Sequence, residues 1–294
     1  MKKFIVIPDS YKGTLSSENI CKIMAEAILK RFPEAQVVAL PVADGGEGTV
    51  AAFLQAVGGK RVEVIVTGPL GVKVPAFYGL LPDGTAVIEM AAAAGLPLVG
   101  ENLLVGKTTT YGVGELIVHA VEHGAKKILL GLGGSATNDG GCGMAAALGA
   151  VFMDKNGVNF LPTGATLVNI ASIDISAVKD KLLNIPITIM CDIDNPLYGS
   201  KGAAYVFAPQ KGATSQELPM LDEGLKHLAG VIEQDLGLSV AQLPGAGAAG
   251  GMGAGAVAFL GGELTPGIEA VLNVVKFNEL LEGTDIVFTG EGYC

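Results

Sequence analysis

The hydrophobic positions of this 294-residue chain follow two alternating patterns. Short apolar runs are typical of buried parallel strands, and the stretches between them carry apolar residues at helical spacing. The first helix is predicted to begin at Ser16 or Ser17, with Lys22 and Glu26 paired on its exposed face. The alternation indicates an α/β protein, with strands predicted at residues 5–7, 36–40, 128–130, 186–190 and 284–288.

Two segments depart from this alternation. Residues 61–91 contain β-type segments broken by a turn sequence at residues 81–85, which predicts an antiparallel excursion. Residues 238–262 are uncharged and as long as a membrane span, but Gln242, Pro244 and many glycines make them only weakly hydrophobic. We therefore predict a glycine loop and a buried helix in that segment.

Composition restricts the classes of partner. The chain has 43 glycines, which favours tight turns and close helix packing. A net charge of −10 argues against nucleic acid and anionic membranes as partners, because neither is held without a basic patch. An anionic small substrate stays open if lysines act locally. The four cysteines form no CxxC pair, which favours a cytoplasmic location.

The most informative segment is the glycine-rich loop at residues 131–141, directly after an apolar run. Uncovered backbone N–H groups and the positive end of the helix that follows predict a phosphate site. Ser135, Thr137 and Asn138 would add side-chain donors. Asp139 would repel a bare phosphate, so we predict that it is either a Mg²⁺ ligand or a cap of the following helix.

The same loop also matches a dinucleotide-binding fingerprint. Gly131, Gly133 and Ala136 occupy the G-x-G-x-x-A positions, and Asp154 stands at the right distance for a ribose. An NAD(P)-dependent dehydrogenase is therefore a competing interpretation.

Two other glycine motifs are weaker. Gly245, Gly247 and Gly250 repeat the fingerprint, but no convincing strand precedes them. Residues 106–108 resemble the end of a Walker A loop, yet Glu101 stands where that loop needs a glycine. We assign no role to either motif from the pattern alone.

A pair of carboxylates follows the predicted strand at residues 186–190. If that strand continues, Asp192 and Asp194 project from one face, roughly 6 to 7 Å apart. Such a pair suits a divalent ion together with a base for a hydroxyl proton, as phosphoryl transfer requires. The alternative is an Asx turn before Asn195–Pro196.

Six segments, in order along essentially the whole chain, resemble the class I glycerate kinases. The resemblance implies a kinase that transfers the γ-phosphoryl group of ATP to D-glycerate, with Mg²⁺ and with 2-phosphoglycerate as the expected product. It leaves a homo-oligomer open. The segments are residues 8–13, 41–49, 133–141, 191–192 with 195–197, 207–213 and 289–292.

The resemblance also implies the architecture, which is two α/β domains. One is a Rossmann-like, doubly wound parallel sheet formed by residues 1–60 and 250–294, and residues 61–249 form an inserted domain with a mixed sheet. Relatives continue past residues 289–292, so we expect a truncated chain that is poorly stable and weakly active. An inactive nucleotide-binding remnant is therefore a second alternative.

Carried onto this sequence, the family pattern assigns roles to individual residues. Asp192 would accept the substrate hydroxyl proton. Lys211 would act as a point charge on the phosphoryl group, although a lysine before a glycine is by itself typical of a solvated turn. The remaining expected sites are the nucleotide at Gly133, Gly134, Ser135, Thr137 and Asn138, the substrate at Asp9, Ser10, Lys12, Asp44 and Glu47, and the metal at Asp139. The family's motif does not fix position 194, so Asp194 is a second metal candidate only from its spacing to Asp192.

Overall fold

The computed structural model describes residues 1–9, 11, 14–42 and 45–290. Strands and helices alternate through this part of the chain, which confirms the predicted α/β class. Three predicted substrate residues, Ser10, Lys12 and Asp44, lie outside the described residues. The described strands are β1 (Lys3–Pro8), β2 (Gln36–Ala39), β3 (Lys60–Thr67), β4 (Lys73–Leu80), β5 (Thr85–Glu89), β6 (Lys127–Gly131), β7 (Val151–Met153), β8 (Ser172–Asp174), β9 (Ile187–Met190), β10 (Glu263–Thr265) and β11 (Ile286–Gly290).

The helices connect these strands. Helix α1 begins where the sequence predicts, because the Ser16 hydroxyl accepts a hydrogen bond from the N–H of Asn19. The described helices are α1 (Ser17–Arg31), α2 (Thr49–Val57), α3 (Ala91–Ala94), α4 (Tyr111–Glu122), α5 (Cys142–Leu148), α6 (Ser176–Lys181), α7 (Ala203–Phe207), α8 (Leu218–Leu236), α9 (Ala248–Leu260), α10 (Gly267–Val274) and α11 (Phe277–Leu281).

Most strand pairs are parallel. The order β11-β1-β2 forms a three-stranded parallel sheet. A larger mixed sheet has the order β10-β9-β6-β5-β4-β3, in which β5, β6, β9 and β10 are parallel. Strands β3, β4 and β5 pair antiparallel, so the predicted excursion at residues 61–91 is confirmed. Strands β7 and β8 form a separate antiparallel pair.

The two larger sheets draw their strands from different parts of the chain. The three-stranded sheet uses segments near both ends, and the mixed sheet uses residues 60–265. Strand β10 belongs to the mixed sheet, although the predicted division assigns residues from 250 onward to the outer domain. The two-domain division stays a prediction, and this pairing favours a second boundary beyond Thr265.

Strand β6 is buried on both faces, as its continuous apolar run predicts. Leu130 belongs to the main hydrophobic core, together with Leu116 of α4. Leu129 points the opposite way and belongs to a second core with Ile5 of β1 and Phe53 of α2. Burial of each such side chain contributes roughly 1.5 to 3 kcal/mol. Alternate residues of β6 therefore connect the mixed sheet to helices on one side and to the three-stranded sheet on the other.

The uncharged segment at residues 238–262 forms a glycine loop and helix α9, as predicted. The helix is buried over nearly its whole length. Its first turn is irregular, because Ala249, Gly250 and Gly251 all have positive φ angles. In the part of the chain that the structure describes, no helix has the length and apolar character needed to cross a membrane.

Candidate active site

The parallel strands of the mixed sheet end together. Gly131, the last residue of β6, is in register with Glu89 of β5 and Met190 of β9. The loops that follow these strands therefore meet at the carboxyl edge of the sheet, where open parallel sheets bind ligands.

Glycines bring the loop after β2 against the loop after β6. The N–H of Gly133 donates a hydrogen bond of 3.0 Å to the carbonyl oxygen of Gly45. A Cβ atom on Gly131 would lie 2.3 Å from that oxygen, and one on Gly133 would lie 2.5 Å from the Cα of Gly46. No side chain fits at either position, so this contact between the two loops requires glycine.

A cavity of about 370 Å³ opens at this edge of the sheet. Its lining includes part of the glycine-rich loop and two charged residues from more distant positions, Asp192 and Lys211. Gly133, Gly134 and Ser135 line it from the loop. The structure thus brings the predicted base, the predicted phosphoryl cation and three of the predicted nucleotide residues around one space. The apolar lining includes Leu96, Leu132, Ile193, Phe207, Ala248 and Ala249.

Lys211 is buried, so the expectation of a solvated turn lysine is wrong. Only 2% of the residue is exposed. Its Nζ donates hydrogen bonds to the Oγ of Ser135 at 2.6 Å and to the carbonyl oxygen of Thr137 at 2.8 Å. Burial lowers the pKa of Lys211 from 10.5 to about 7, while the charge of Asp139 acts in the opposite direction. Lys211 is therefore a buried amine whose hydrogen bonds go to the glycine-rich loop.

Asp139 is fully buried, and its carboxylate already accepts hydrogen bonds from four donors. Thr110 donates its N–H and its hydroxyl, and the N–H groups of Gly141 and Gly143 donate at 3.2 Å. Burial raises the pKa of Asp139, and these donors counteract it. The carboxylate occupies the start of helix α5, where the sequence analysis expected either a cap or a Mg²⁺ ligand. The geometry favours the cap, and that helix end is not left open for a phosphate.

The side chains of Thr137 and Asn138 point from the glycine-rich loop into the protein interior. Both residues are fully buried, and neither lines the cavity. Thr137 Oγ1 and both polar atoms of the Asn138 side chain have no hydrogen-bond partner among the described residues. Direct contact between these side chains and a nucleotide would require the loop to move, so their expected role stays a prediction.

Asp192 and Asp194 do not act as a pair at the cavity. Asp192 lines it, and its Oδ1 accepts a hydrogen bond of 2.7 Å from the N–H of Gly267, at the start of α10. Asp194 is exposed and lies outside the lining. Strand β9 ends at Met190, so the alternation that would have placed both carboxylates on one face does not continue.

Asp9 and Glu47 line a different, smaller cavity of about 140 Å³ at the ends of β1 and β2. This cavity also contains Glu18, so the charged side chains among its described lining residues are all acidic. Nearby, Glu89 is buried and accepts a hydrogen bond of 2.6 Å from the N–H of Val50 in α2. Sequence reasoning did not single out Glu89, because its helix partner is 39 positions away.

The glycine segment at residues 245–251, which includes the irregular first turn of α9, is the main element to which the sequence analysis gave no role. Gly250 packs on the loop, since a Cβ atom there would lie 2.0 Å from the carbonyl oxygen of Thr137. The N–H of Gly140 donates to the carbonyl oxygen of Gly250 at 3.1 Å. Ala249, with a φ of 54°, lines the cavity. The repeated glycine spacing was therefore a valid signal of a second loop at this site, although no strand precedes it.

The geometry does not support the dehydrogenase interpretation. In that arrangement a pyrophosphate lies at the start of the helix after the glycine loop, and here Asp139 takes that place. Asp154, the expected ribose ligand, is in an exposed turn, where its carboxylate accepts hydrogen bonds from Asn156 and Val158. It does not line the cavity.

Parallel strands that end together at a glycine-lined cavity with a buried lysine are typical of α/β enzymes that bind anionic ligands. Comparison with known sequences identifies the family within this class of enzymes. The family model described as the glycerate kinase family matches residues 4–294. The chain belongs to the glycerate kinase family.

Individual relatives agree with this assignment. The chain is 48% identical over 294 residues to a glycerate kinase of Bacillus cereus, covering 99% of this chain and 77% of that protein. It is 48% identical over 292 residues to the glycerate 2-kinase of Escherichia coli, with the same coverage of 99% and 77%. These matches cover nearly all of this chain and about three quarters of each relative. The expected low stability and weak activity of the chain stay predictions.

A solved structure shows the same fold. A crystal structure described as glycerate kinase 2 from Salmonella typhimurium LT2 superimposes with a TM-score of 0.94 at 47% sequence identity. The match covers 99% of this chain and 78% of that one. The α/β architecture described above is therefore that of the family.

Proposed function

We propose that this enzyme transfers the γ-phosphoryl group of ATP to D-glycerate and forms 2-phosphoglycerate. Family membership supports glycerate as the acceptor, and the name of the Escherichia coli relative supports the 2-hydroxyl. One observation carries the assignment of the site, namely that Asp192 and Lys211 line one cavity with the glycine-rich loop. A carboxylate, a cation and a phosphate-binding loop are the groups that phosphoryl transfer uses.

In this proposal each group has a distinct task. The N–H groups of the loop and the Lys211 amine stabilise charge on the phosphoryl oxygens. Asp192 accepts the proton of the attacking hydroxyl group. The hydrogen bond from Gly267 holds one oxygen of the Asp192 carboxylate in place. Positioning and electrostatic stabilisation supply most of the rate, because the transferring group needs little covalent help.

The described residues form no cluster of carboxylates that would hold Mg²⁺ without the nucleotide. No group of three His, Cys, Asp or Glu side chains among them is arranged to hold a metal ion. The Asp139 carboxylate is occupied by four donors, and Asp194 lies away from the cavity. We therefore propose that Mg²⁺ enters bound to the phosphates of ATP, as this ion often does.

Three expectations remain part of the proposal. Asp9 and Glu47 stay candidates for the substrate side, although the acidic lining of their cavity would repel the carboxylate of glycerate unless a cation offsets it. The cytoplasmic location and a homo-oligomer also stay predictions.

A coupled assay of ADP release tests the function. Release should require both D-glycerate and Mg²⁺, and ³¹P NMR should identify the product as the 2-phosphate. Lys211→Met should lower kcat at least about 100-fold, because a cation in the phosphoryl site stabilises the transition state. Lys201→Met, at an exposed position outside the cavity, is the matched control and should retain activity. ATP binding without turnover in the unmodified protein would instead support the inactive remnant.

A further inference from the structure

Lys211 has an unusual set of neighbours for a buried lysine. Its two hydrogen-bond partners are a hydroxyl and a backbone carbonyl, and neither carries a charge. Among the described ion pairs of the chain, none involves Lys211. A buried ammonium without a counter-charge is unfavourable, so such a site favours the neutral amine until an anion arrives.

Charged groups around Lys211 are few. Asp139, at the buried end of the loop, has a carboxylate that accepts hydrogen bonds from Thr110 and from the N–H of Gly141 at the start of α5. Asp192 and Cys191 face the same cavity from the end of β9. Burial raises the pKa of the Cys191 thiol. The negative charge of Asp139 thus favours the protonated form of Lys211, although no hydrogen bond joins the two side chains.

We infer that Lys211 takes up a proton from solvent when an anionic group of the substrates enters the cavity. The ligand is a phosphate or carboxylate group, and its oxygens supply the counter-charge that the protein does not provide. The proton moves from water or buffer to Nζ, and no covalent bond to the ligand forms. This inference rests on the proposed function for the identity of its ligands.

The size of the effect follows from the lowered pKa of Lys211, which is about 7. At pH 8 a group with this pKa is mostly unprotonated, so formation of the ion pair takes up roughly 0.9 of a proton. At pH 6 the amine already carries its proton, and the uptake falls to about 0.1. Binding of the anion therefore weakens as the pH rises above 7.

Isothermal titration calorimetry in buffers of different ionisation enthalpy measures this uptake. One set of titrations uses ATP with Mg²⁺ and the other uses D-glycerate, and the ligand that shows uptake is the one whose anion contacts Lys211. Lys211→Met removes the group, and Lys211→Arg supplies a cation that stays protonated at both pH values. Lys201→Met is the control for loss of a lysine elsewhere.

We expect uptake near 0.9 proton at pH 8 and near 0.1 at pH 6 in the unmodified enzyme and in Lys201→Met. The Lys211→Arg variant should bind the same ligand without this proton uptake. Proton numbers that do not change between pH 6 and pH 8 in the unmodified enzyme would overturn the inference, and this comparison does not depend on any variant folding. Uptake on ATP binding without formation of phosphoglycerate would support the inference and overturn the proposed function.

Discussion

Asp139 accepts two hydrogen bonds from Thr110, one from the backbone N–H at 2.7 Å and one from the hydroxyl at 2.9 Å. Both residues are fully buried. The Thr110 hydroxyl also accepts a hydrogen bond of 2.9 Å from the N–H of Met144 in α5. Thr110 therefore joins the glycine-rich loop to the helix that follows it and to the start of α4.

Replacing Thr110 by Val tests this connection. Valine keeps the shape of the side chain but leaves the N–H of Met144 and an oxygen of Asp139 short of a partner. We expect a loss of about 1 to 3 kcal/mol in the free energy of unfolding, measured by urea denaturation. Thr110→Ser keeps the hydroxyl and is the control. Equal stability of the two variants would show that the hydroxyl is not needed.

Gly250→Ala tests the contact between the second glycine segment and the loop. The new methyl group would lie 2.0 Å from the carbonyl oxygen of Thr137, at a φ of +70° that alanine rarely adopts. Because the conflicting atom is backbone, the two segments must separate. We expect a loss of more than about 2 kcal/mol in stability and a marked fall in kcat/KM, measured by urea denaturation and by the ADP assay.

The matched control is Gly230→Ala in the exposed part of α8. A Cβ atom at Gly230 would meet no other atom within 4 Å. Alanine favours the helix over glycine by roughly 0.5 to 1 kcal/mol, so this variant should be at least as stable as the unmodified protein. If both glycine variants had the same stability, the close packing of Gly250 would not matter.

The strands and several boundaries followed from the sequence because they depend on local chemistry. The apolar run at residues 128–130 predicted a buried strand, and Ser16 predicted the start of α1. The loop at residues 131–141 was located by its glycines and by the apolar run directly before it. Such signals are contained within a few residues of the element that they define.

The environment of the site residues could not be predicted in the same way. Lys211 is buried by contacts with a loop 76 positions earlier, and Asp139 is held by Thr110, 29 positions away. These contacts arise only when distant segments pack together. A pattern of lysine before glycine is typical of exposed turns, and nothing local shows the exception.

Asp192→Asn tests the catalytic base. Asparagine keeps an oxygen that can accept the hydrogen bond from Gly267, so the start of α10 should be preserved. It cannot take up the proton of the substrate hydroxyl. We expect kcat to fall about 100- to 10,000-fold with little change in thermal stability. Asp194→Asn, at an exposed position outside the cavity, should stay within about twofold of the unmodified enzyme. A similar modest effect of both substitutions would exclude Asp192 as the base.

The lowered pKa of Lys211 also makes stability depend on pH. The folded protein releases the Lys211 proton near pH 7, whereas the unfolded chain holds it up to the ordinary value of 10.5. Between these values the unfolded state binds more protons, so the contribution of Lys211 to the free energy of unfolding increases with pH. The difference between the unmodified protein and Lys211→Met should therefore shift in favour of the unmodified protein as the pH rises.

Urea denaturation of both proteins at several pH values between about 7 and 9 measures this shift, which should be on the order of 1 kcal/mol per pH unit. Other titrating groups contribute equally to both proteins and cancel in the difference. Lys201→Met, at an exposed position, should show a flat difference over the same range. A flat difference for Lys211→Met as well would mean that the buried amine keeps its proton in the folded protein, and its charge would then have to be balanced within the fold itself.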